Sequence, residues 1–235
     1  MYSFKINSET LNFKTAADVF YPTATSELLI KGFCKRVKEP GKLLDLGCGV
    51  GIVGIVLAKL GFATMPIYAS DLSKNAVALT RENAADHACD VVAKVGSLFN
   101  PWPNEKFNYI TDDVPGIAQD AAVISPWYSA SVPCASGKDG TELVSQVILA
   151  ASTYLEPNGL LFFPVLSLSN TEKIIDLARK NFNQVEMLIH KDWYLPEDMK
   201  KHIGLLEYLQ NEGMIRIEEK FGMVLWYTEI YIASH

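Results

Sequence analysis

The sequence predicts an α/β protein, an open parallel sheet with helices packed on both faces, and three observations predict it. Short apolar runs alternate with stretches of amphipathic helical period along nearly the whole chain, the pattern of strand–helix–strand units. At one strand-to-helix junction, Leu43–Gly54 (LLDLGCGVGIVG), Gly47, Gly49 and Gly51 fall inside a single sharp turn. A carboxylate, Asp71, closes the next apolar run about 20 residues on, the place of a ribose-binding acid in nucleoside-binding α/β units.

The elements follow in order. Thr25–Val37 has helical period, with Lys31–Lys38 (KGFCKRVK) as its solvated face. Lys42–Leu46 reads as a short buried strand, and after the glycines Ile52–Leu60 is an apolar helical stretch. Pro66–Ser70 is the second strand, Ser73–Asp86 a helix, and Val91–Val95 and Phe107–Thr111 are further strands. Asn100–Glu105 (NPWPNE) and Ile124–Gly140 (ISPWYSASVPCASGKDG) are loops rich in Pro, Gly and Ser. The second loop is long enough to suggest a functional segment at the carboxyl edge of the sheet. Thr141–Leu155 places Leu143, Val144, Val147, Ile148, Ala151 and Leu155 on one sheet-packing face. Gly159–Val165 is a strand, Ser169-x-x-Glu172 has the form of a capping box opening the helix Thr171–Asn181, and Val185–His190 is a strand. Glu197–Asn211 is a helix that docks Leu205, Leu206 and Leu209 against the sheet, and Val224–Ala233 is the seventh strand.

At 235 residues, 49% hydrophobic and 20% charged, the chain has the size of one α/β domain. It divides into an N-terminal segment 1–40, long enough for a helix closing over a ligand site, and a main body 41–235. No apolar run is long enough to span a bilayer, and the N-terminus MYSFKINSETLNFK carries no export pattern, so the expected location is cytoplasmic. Cys34, Cys48, Cys89 and Cys134 have no Cys-x-x-Cys spacing, and with four scattered histidines no metal site is expected. The net charge of −6, without a dense basic block, leans against a nucleic-acid substrate. His87, His190 and His202 are expected on helix surfaces or strand ends.

The glycines allow a sharp backbone turn and an approach closer than any side chain would permit, so the junction reads as a site for a nucleoside-bearing cofactor. Gly49–Gly54 also satisfies the spacing of dinucleotide binders, a weak signal alone. Asp45 discriminates: a carboxylate at that strand end repels a pyrophosphate but can receive the ammonium group of a methionine moiety, which favours S-adenosylmethionine. Cys48, inside the turn, is expected to contribute its backbone amide rather than its thiol.

These residues resemble the class I S-adenosylmethionine-dependent methyltransferases. The nearest branch is the release-factor glutamine methyltransferases (HemK-type) and their small-domain relatives, and the likeness runs from about Val19 onward. Val19-Phe20-Tyr21-Pro22 through Leu29 is similar to the segment before the first motif there. LLDLGCGVGIVGIVLA and YASDLSKNAVALTRENA resemble the first and second motifs, and SGKDGTELVSQVILAASTYLEPNGLLFFPV resembles the helix–strand unit that follows the fourth strand. The resemblance implies a Rossmann-like, seven-stranded, mostly parallel sheet with an antiparallel last strand. It implies that Asp45, Gly47, Cys48, Gly49 and Gly51 hold the methionine end of the cofactor. Asp71 and Leu72, with Ser97, Leu98 and Asp113, complete the cofactor set. Tyr21, Val114, Pro115 and Trp127 are implied on the acceptor side.

Two departures shape the expectation. The family's Gly-Asp-Leu-Phe is Gly96-Ser97-Leu98-Phe99 here, which puts a hydroxyl where a carboxylate would meet the adenine amino group. The family's Asn-Pro-Pro-Tyr is Asp113-Val114-Pro115-Gly116, which removes the amide donor and the ring that grip a planar side-chain amide. Asp113 is therefore expected in a catalytic role, as the group that orients or deprotonates an acceptor, whereas Asp112 is expected to be solvated and to cap the loop. Tyr21, Trp127 and Tyr128 are candidates for an aromatic wall. The expected activity is methyl transfer to a small metabolite or a protein side chain. Two alternatives stay open: a nucleoside-binding module without transfer chemistry, and a nicotinamide-dependent oxidoreductase, for which a catalytic Tyr/Lys or His constellation is missing.

Overall fold

A computed structural model describes residues 1–6, 9–128, 132 and 134–235. The chain opens with an antiparallel hairpin, β1 (Tyr2–Ile6) and β2 (Glu9–Phe13), that was not expected from the sequence. Its strands are only five residues long, and their alternation is visible only in hindsight: Phe4, Ile6, Leu11 and Phe13 turn inward and their neighbours outward. The helix α1 (Ala24–Arg36) follows, opened by Thr23, whose side chain accepts from the Thr25 N–H.

The main sheet then forms in the expected order: β3 (Gly41–Leu46), α2 (Ile52–Lys59), β4 (Ala63–Asp71), α3 (Lys74–Asp86), β5 (Val91–Val95) and β6 (Phe107–Asp112). After the short helix α4 (Gln119–Val123) come α5 (Glu142–Tyr154), β7 (Leu155–Leu166), α6 (Thr171–Asn181) and β8 (Gln184–Tyr194). Two short helices, α7 (Glu197–Lys200) and α8 (Ile203–Asn211), lead to β9 (Glu218–Lys220) and β10 (Met223–Ser234). The strand order is β5-β4-β3-β6-β7-β10-β8, with β9 paired to β10 alone. β3 to β7 run parallel, and β10 is antiparallel to both β7 and β8. The seven expected strands and the antiparallel last strand are all present, with β9 as an added hairpin arm. Because the chain steps from β3 to β4 and β5 on one side and returns to β6 on the other, a crevice opens at the carboxyl ends of β3 and β6.

Successive residues of the central strands feed opposite cores, so these strands read as unbroken apolar runs. Leu43, Phe162 and Ile230 join α1 and α2 on one face, while Leu44, Phe163 and Tyr231 join α5 and α6 on the other. The hairpin residues Phe4, Ile6, Leu11 and Phe13 belong to the first of these cores. A third apolar cluster, built from Ile117, Ala121, Leu168, Met199, Leu206 and Leu209, forms a cap beside the crevice.

Two local expectations are corrected. The residue that caps α6 is Asn170, whose side chain accepts from the Lys173 N–H at 3.1 Å, while the Ser169 hydroxyl donates to the Leu166 carbonyl. The expected helix Glu197–Asn211 is broken at Lys201–His202. There the His202 N–H bonds back only three residues, to the Met199 carbonyl at 2.9 Å, just before Gly204, a poor helix former. Leu206 and Leu209 are buried, in the third cluster, which also takes in Trp226 of β10 and Leu166 of β7.

Candidate active site

At the carboxyl ends of the parallel strands lies a cavity of about 450 Å³. Its floor is the turn after β3. Gly47 and Cys48 both donate their N–H to the Ser70 carbonyl, at 2.9 and 3.1 Å, which pins the turn to the end of β4. Gly47 has φ +70°, and a Cβ there would come within 3.0 Å of the Asp113 carbonyl oxygen, so only glycine fits between the two strand ends. Gly49 has φ +52° and only the Phe20 carbonyl near the place of a Cβ, so no side chain stands between its Cα and the cavity.

Asp71, at the end of β4, accepts from the Gly49 N–H at 3.0 Å and from the Ser73 N–H at 2.8 Å. Burial raises its pKa above the ordinary carboxylate value. One carboxylate thus joins the glycine turn to the start of α3 and still has lone pairs to offer a ligand. The Ser70 hydroxyl donates to the Leu98 carbonyl at 2.9 Å, and Leu98 adopts φ +47°, so the segment Gly96–Leu98 is held against the same floor. From beneath, α3 supports the turn: the Thr80 hydroxyl donates to the Gly49 carbonyl at 3.0 Å, and the Asn83 amide to the Val50 carbonyl at 2.8 Å. These two supports went unread in the sequence. Their only signal is a pair of buried polar residues three apart on an otherwise ordinary helix face.

Asp113 follows β6, with its N–H on the Leu46 carbonyl at 3.0 Å and its Oδ2 accepting from the buried Ser26 hydroxyl of α1 at 2.6 Å. It lines the cavity, and burial pushes its pKa up to about 6 against the lowering effect of the Ser26 bond. Gly47, Gly49, Asp71, Leu72, Ser97 and Leu98 line the cavity too, as do Val114, Pro115 and Trp127.

Four expected site residues lie elsewhere. Asp45 is buried beneath the turn and spends its oxygens on the Gly54 N–H at 3.1 Å and the Thr111 hydroxyl at 2.9 Å. It faces the first turn of α2 rather than the cavity, a place where the helix dipole favours a carboxylate, so it is not positioned to receive an ammonium group. Burial lifts its pKa to about 7, with the nearby Asp113 adding to the shift. Cys48 is also turned away: its sulfur lies 3.3 Å from the Thr80 hydroxyl, and its N–H is already used on Ser70. Gly51 serves as the left-handed N-cap of α2, at φ 84°. Tyr21 is 49% exposed and rests edge-on against Tyr2, while its neighbour Phe20 takes the cavity position. Asp112 is not solvated. It is fully buried, its Oδ1 accepts from the Val114 N–H at 3.2 Å, and its Oδ2 has no partner among the described residues. Burial raises its pKa to about 8.

The far wall is aromatic. Trp127 and Tyr128 come from the loop after α4, of which residues 129–131 and 133 lie outside the described residues. Trp193 and Trp226 are register partners on β8 and β10, and both reach the cavity. Nothing local in the sequence links them, since the pairing depends on strand order. Among the described residues that line the cavity the charged ones are Asp18, Asp71 and Asp113, with no Lys, Arg or His. Among the described residues no cluster of ligands suited to a metal occurs. No helix among them is long and apolar enough to cross a membrane.

Comparison with known proteins agrees with this architecture. The family model for the methyltransferase small domain matches residues 10–125. The release factor glutamine methyltransferase of Geobacter sulfurreducens is 28% identical over 171 residues, covering 71% of this chain and 60% of that protein. The tRNA1(Val) (adenine(37)-N6)-methyltransferase of Dickeya chrysanthemi is 28% identical over 158 residues, covering 62% of this chain and 56% of that protein. The chain thus spans less than two thirds of the length of either relative. Among solved structures, the 16S rRNA N2 G1207 methyltransferase of T. thermophilus, in complex with AdoMet and guanosine, superimposes with a TM-score of 0.64. That match has 14% identity over 100% of this chain and 50% of the other. Residues 10–125 thus match the methyltransferase small domain, and the chain as a whole has the fold of these solved class I methyltransferases.

Proposed function

We propose that the chain is an S-adenosylmethionine-dependent methyltransferase that acts on a small molecule or a single protein side chain. The observation that carries this reading is the floor of the cavity. There Gly49, with no side chain in the way, and the Asp71 carboxylate are locked together and open onto a space that continues to Asp113. The residues fit the cofactor: Asp71 offers acceptors to a ribose diol, Leu72 and Leu98 offer apolar surface to a base, and Ser97 offers a hydroxyl to its edge. A pyrophosphate fits poorly, because it would meet Asp18, Asp71 and Asp113 with no cation among the described lining residues.

Bound there, S-adenosylmethionine would supply an electrophilic methyl group on a sulfonium. The chain's own part is to hold the acceptor in line and to take its proton. Asp113 is placed for the second task, since it lines the cavity, is oriented by Ser26, and with a pKa of about 6 is mostly ionised at neutral pH. It lacks the N–H pair of an asparagine, and Gly116 lacks a ring, so a side-chain amide is not the acceptor in this reading. Incubating the protein with release factor and labelled cofactor should therefore give no transfer above background.

Titration calorimetry with S-adenosylhomocysteine and with NAD tests the cofactor assignment. The first should bind and raise the melting temperature, by about 2.7 kcal/mol of stability at a hundredfold excess over Kd, and the second should do neither. Binding of NAD alone would overturn the reading.

A further inference from the structure

Building on the methyltransferase reading, we infer that the acceptor is a small planar aromatic molecule without negative charge, held among Trp127, Tyr128, Trp193 and Trp226. These residues come from three separated stretches of chain and converge on one wall of the cavity. Trp226 sits at the centre, with ring centroids 5.1 Å from Trp127 at 55° and 6.3 Å from Trp193 at 33°; Tyr128 leans on Phe20 at 5.0 Å. Tilted rings at these spacings form an open angle rather than a closed stack, the shape that admits a further ring by edge or face.

Trp226 is itself a buried member of the apolar cluster behind the wall, and Trp127, Tyr128 and Trp193 pack against that cluster from the cavity side. Leu206, Leu209, Met199 and Ile117 are fully buried, whereas Trp127 and Trp193 are only half-buried and Tyr194 beside them is 67% exposed. Rings left bordering open volume gain most from a ligand that covers them. The Trp226 indole N–H is buried in the wall without a partner among the described residues, an arrangement that carries a cost and so marks a place where packing is not optimised for stability alone.

Charge narrows the occupant further. Once Asp71 is engaged with the cofactor, Asp113 and Asp18 remain as the charged groups of the described lining, and both are acids. Residues 129–131 and 133, which complete the loop in sequence, are Ser, Ala, Ser and Pro and add no charge. A phosphate or carboxylate brought to this wall meets no cation and is repelled by Asp113, while a neutral ring is accepted and a cationic one gains from the tryptophan faces. This excludes a free anionic ring, such as an aryl carboxylate or phosphate, as the acceptor and fits an aryl amine or phenol type of nucleophile, whose proton Asp113 would receive as the new bond to carbon forms.

The test uses charge-matched probes on the full chain saturated with S-adenosylhomocysteine: the ethanol, ethylamine and acetate derivatives of benzene and of indole, titrated by calorimetry at pH 7.5. At least one neutral or cationic member should bind with a Kd of roughly 1 mM or tighter, and its acetate twin at least ~10-fold more weakly. Trp127→Leu and Trp193→Leu should weaken the bound probe by ~10-fold while S-adenosylhomocysteine affinity stays within about twofold, which shows that the variants are folded. The inference is overturned if the acetates bind as well as their twins, if neither variant affects a bound probe, or if S-adenosylhomocysteine binds and no ring does. Failure of S-adenosylhomocysteine itself to bind would instead remove the methyltransferase reading on which the inference rests.

Discussion

On one side of the cavity, Gly47, Gly49 and Asp71 come from a single strand–turn–helix–strand unit, and the site is made of backbone: glycines without side chains, left-handed turns and one carboxylate. On the other side, Trp127, Trp193 and Trp226 come from a loop and two antiparallel strands, and the site is made of side-chain faces. A backbone site dictates its residues, because positive φ and close strand approach leave glycine as the only good choice. A side-chain wall dictates only bulk and polarity, which many residues from many places satisfy. One half of the site is therefore fixed by local sequence and the other by tertiary assembly, with Asp113 at the seam.

The sharpest way to break this division is at the seam. Asp113→Asn keeps the size of the side chain and removes the base. With an acceptor in hand, turnover should fall by ~10²–10⁴ while S-adenosylhomocysteine affinity changes by less than about twofold. In the parent, kcat/KM should fall as pH drops through about 6, as Asp113 takes up its proton. Unchanged turnover in the variant would leave Asp113 as a loop residue and the wall as a binding surface only.

On the backbone side, Asp71→Ala removes a half-buried acceptor. S-adenosylhomocysteine should bind ~10–100-fold more weakly, corresponding to roughly 1.5–3 kcal/mol. Ring probes, measured without cofactor, should be indifferent to the change. If both ligands weaken together, the two halves of the cavity are one cooperative unit and the comparison fails.

The same contrast accounts for what could be read in advance. The seven strands followed from apolar runs that are buried on both faces, and the floor of the site from the glycine turn with Asp71. Asp45 misled because its position in the motif was legible but the direction of its side chain was not. On β3 it faces α2, and Thr111 on the neighbouring strand takes one of its oxygens. The hairpin Tyr2–Phe13 escaped notice because five-residue strands leave too short an alternation to detect. Trp193 and Trp226 escaped for a different reason: they meet only because β8 and β10 pair, and that pairing is non-local.

A smaller effect probes the carboxylates under the seam through stability. Asp112 is fully buried, with its pKa raised to about 8, against roughly 4 in an unfolded chain. Between those values the folded state binds more protons than the unfolded one, so stability is fullest below about pH 4 and declines as pH rises through this window. Asp112→Asn cannot ionise. It should match the parent near pH 4 and exceed it at pH 8 by on the order of 1–2 kcal/mol, a rise of roughly 2–8 °C in Tm. Equal melting curves at pH 8 would mean that Asp112 reaches a partner or water when ionised.

The smallest expected effect is the most specific. Ser26, buried on α1, donates its hydroxyl to Asp113 at 2.6 Å and so carries the N-terminal segment to the seam between the two halves. Because that bond favours the ionised carboxylate, it lowers the Asp113 pKa against the upward pull of burial. Ser26→Ala removes the donor and little volume. The stability loss should be about 1 kcal/mol at pH 8, where Asp113 is charged, and less at pH 5, where it is largely neutral. The pH at which kcat/KM declines should move upward from about 6, and S-adenosylhomocysteine affinity at pH 8 should hold. A variant that loses stability but keeps the inflection where it was would show Ser26 to be a packing contact alone. A shifted inflection with intact cofactor binding would show that α1 tunes the acceptor side of the site without touching the backbone side.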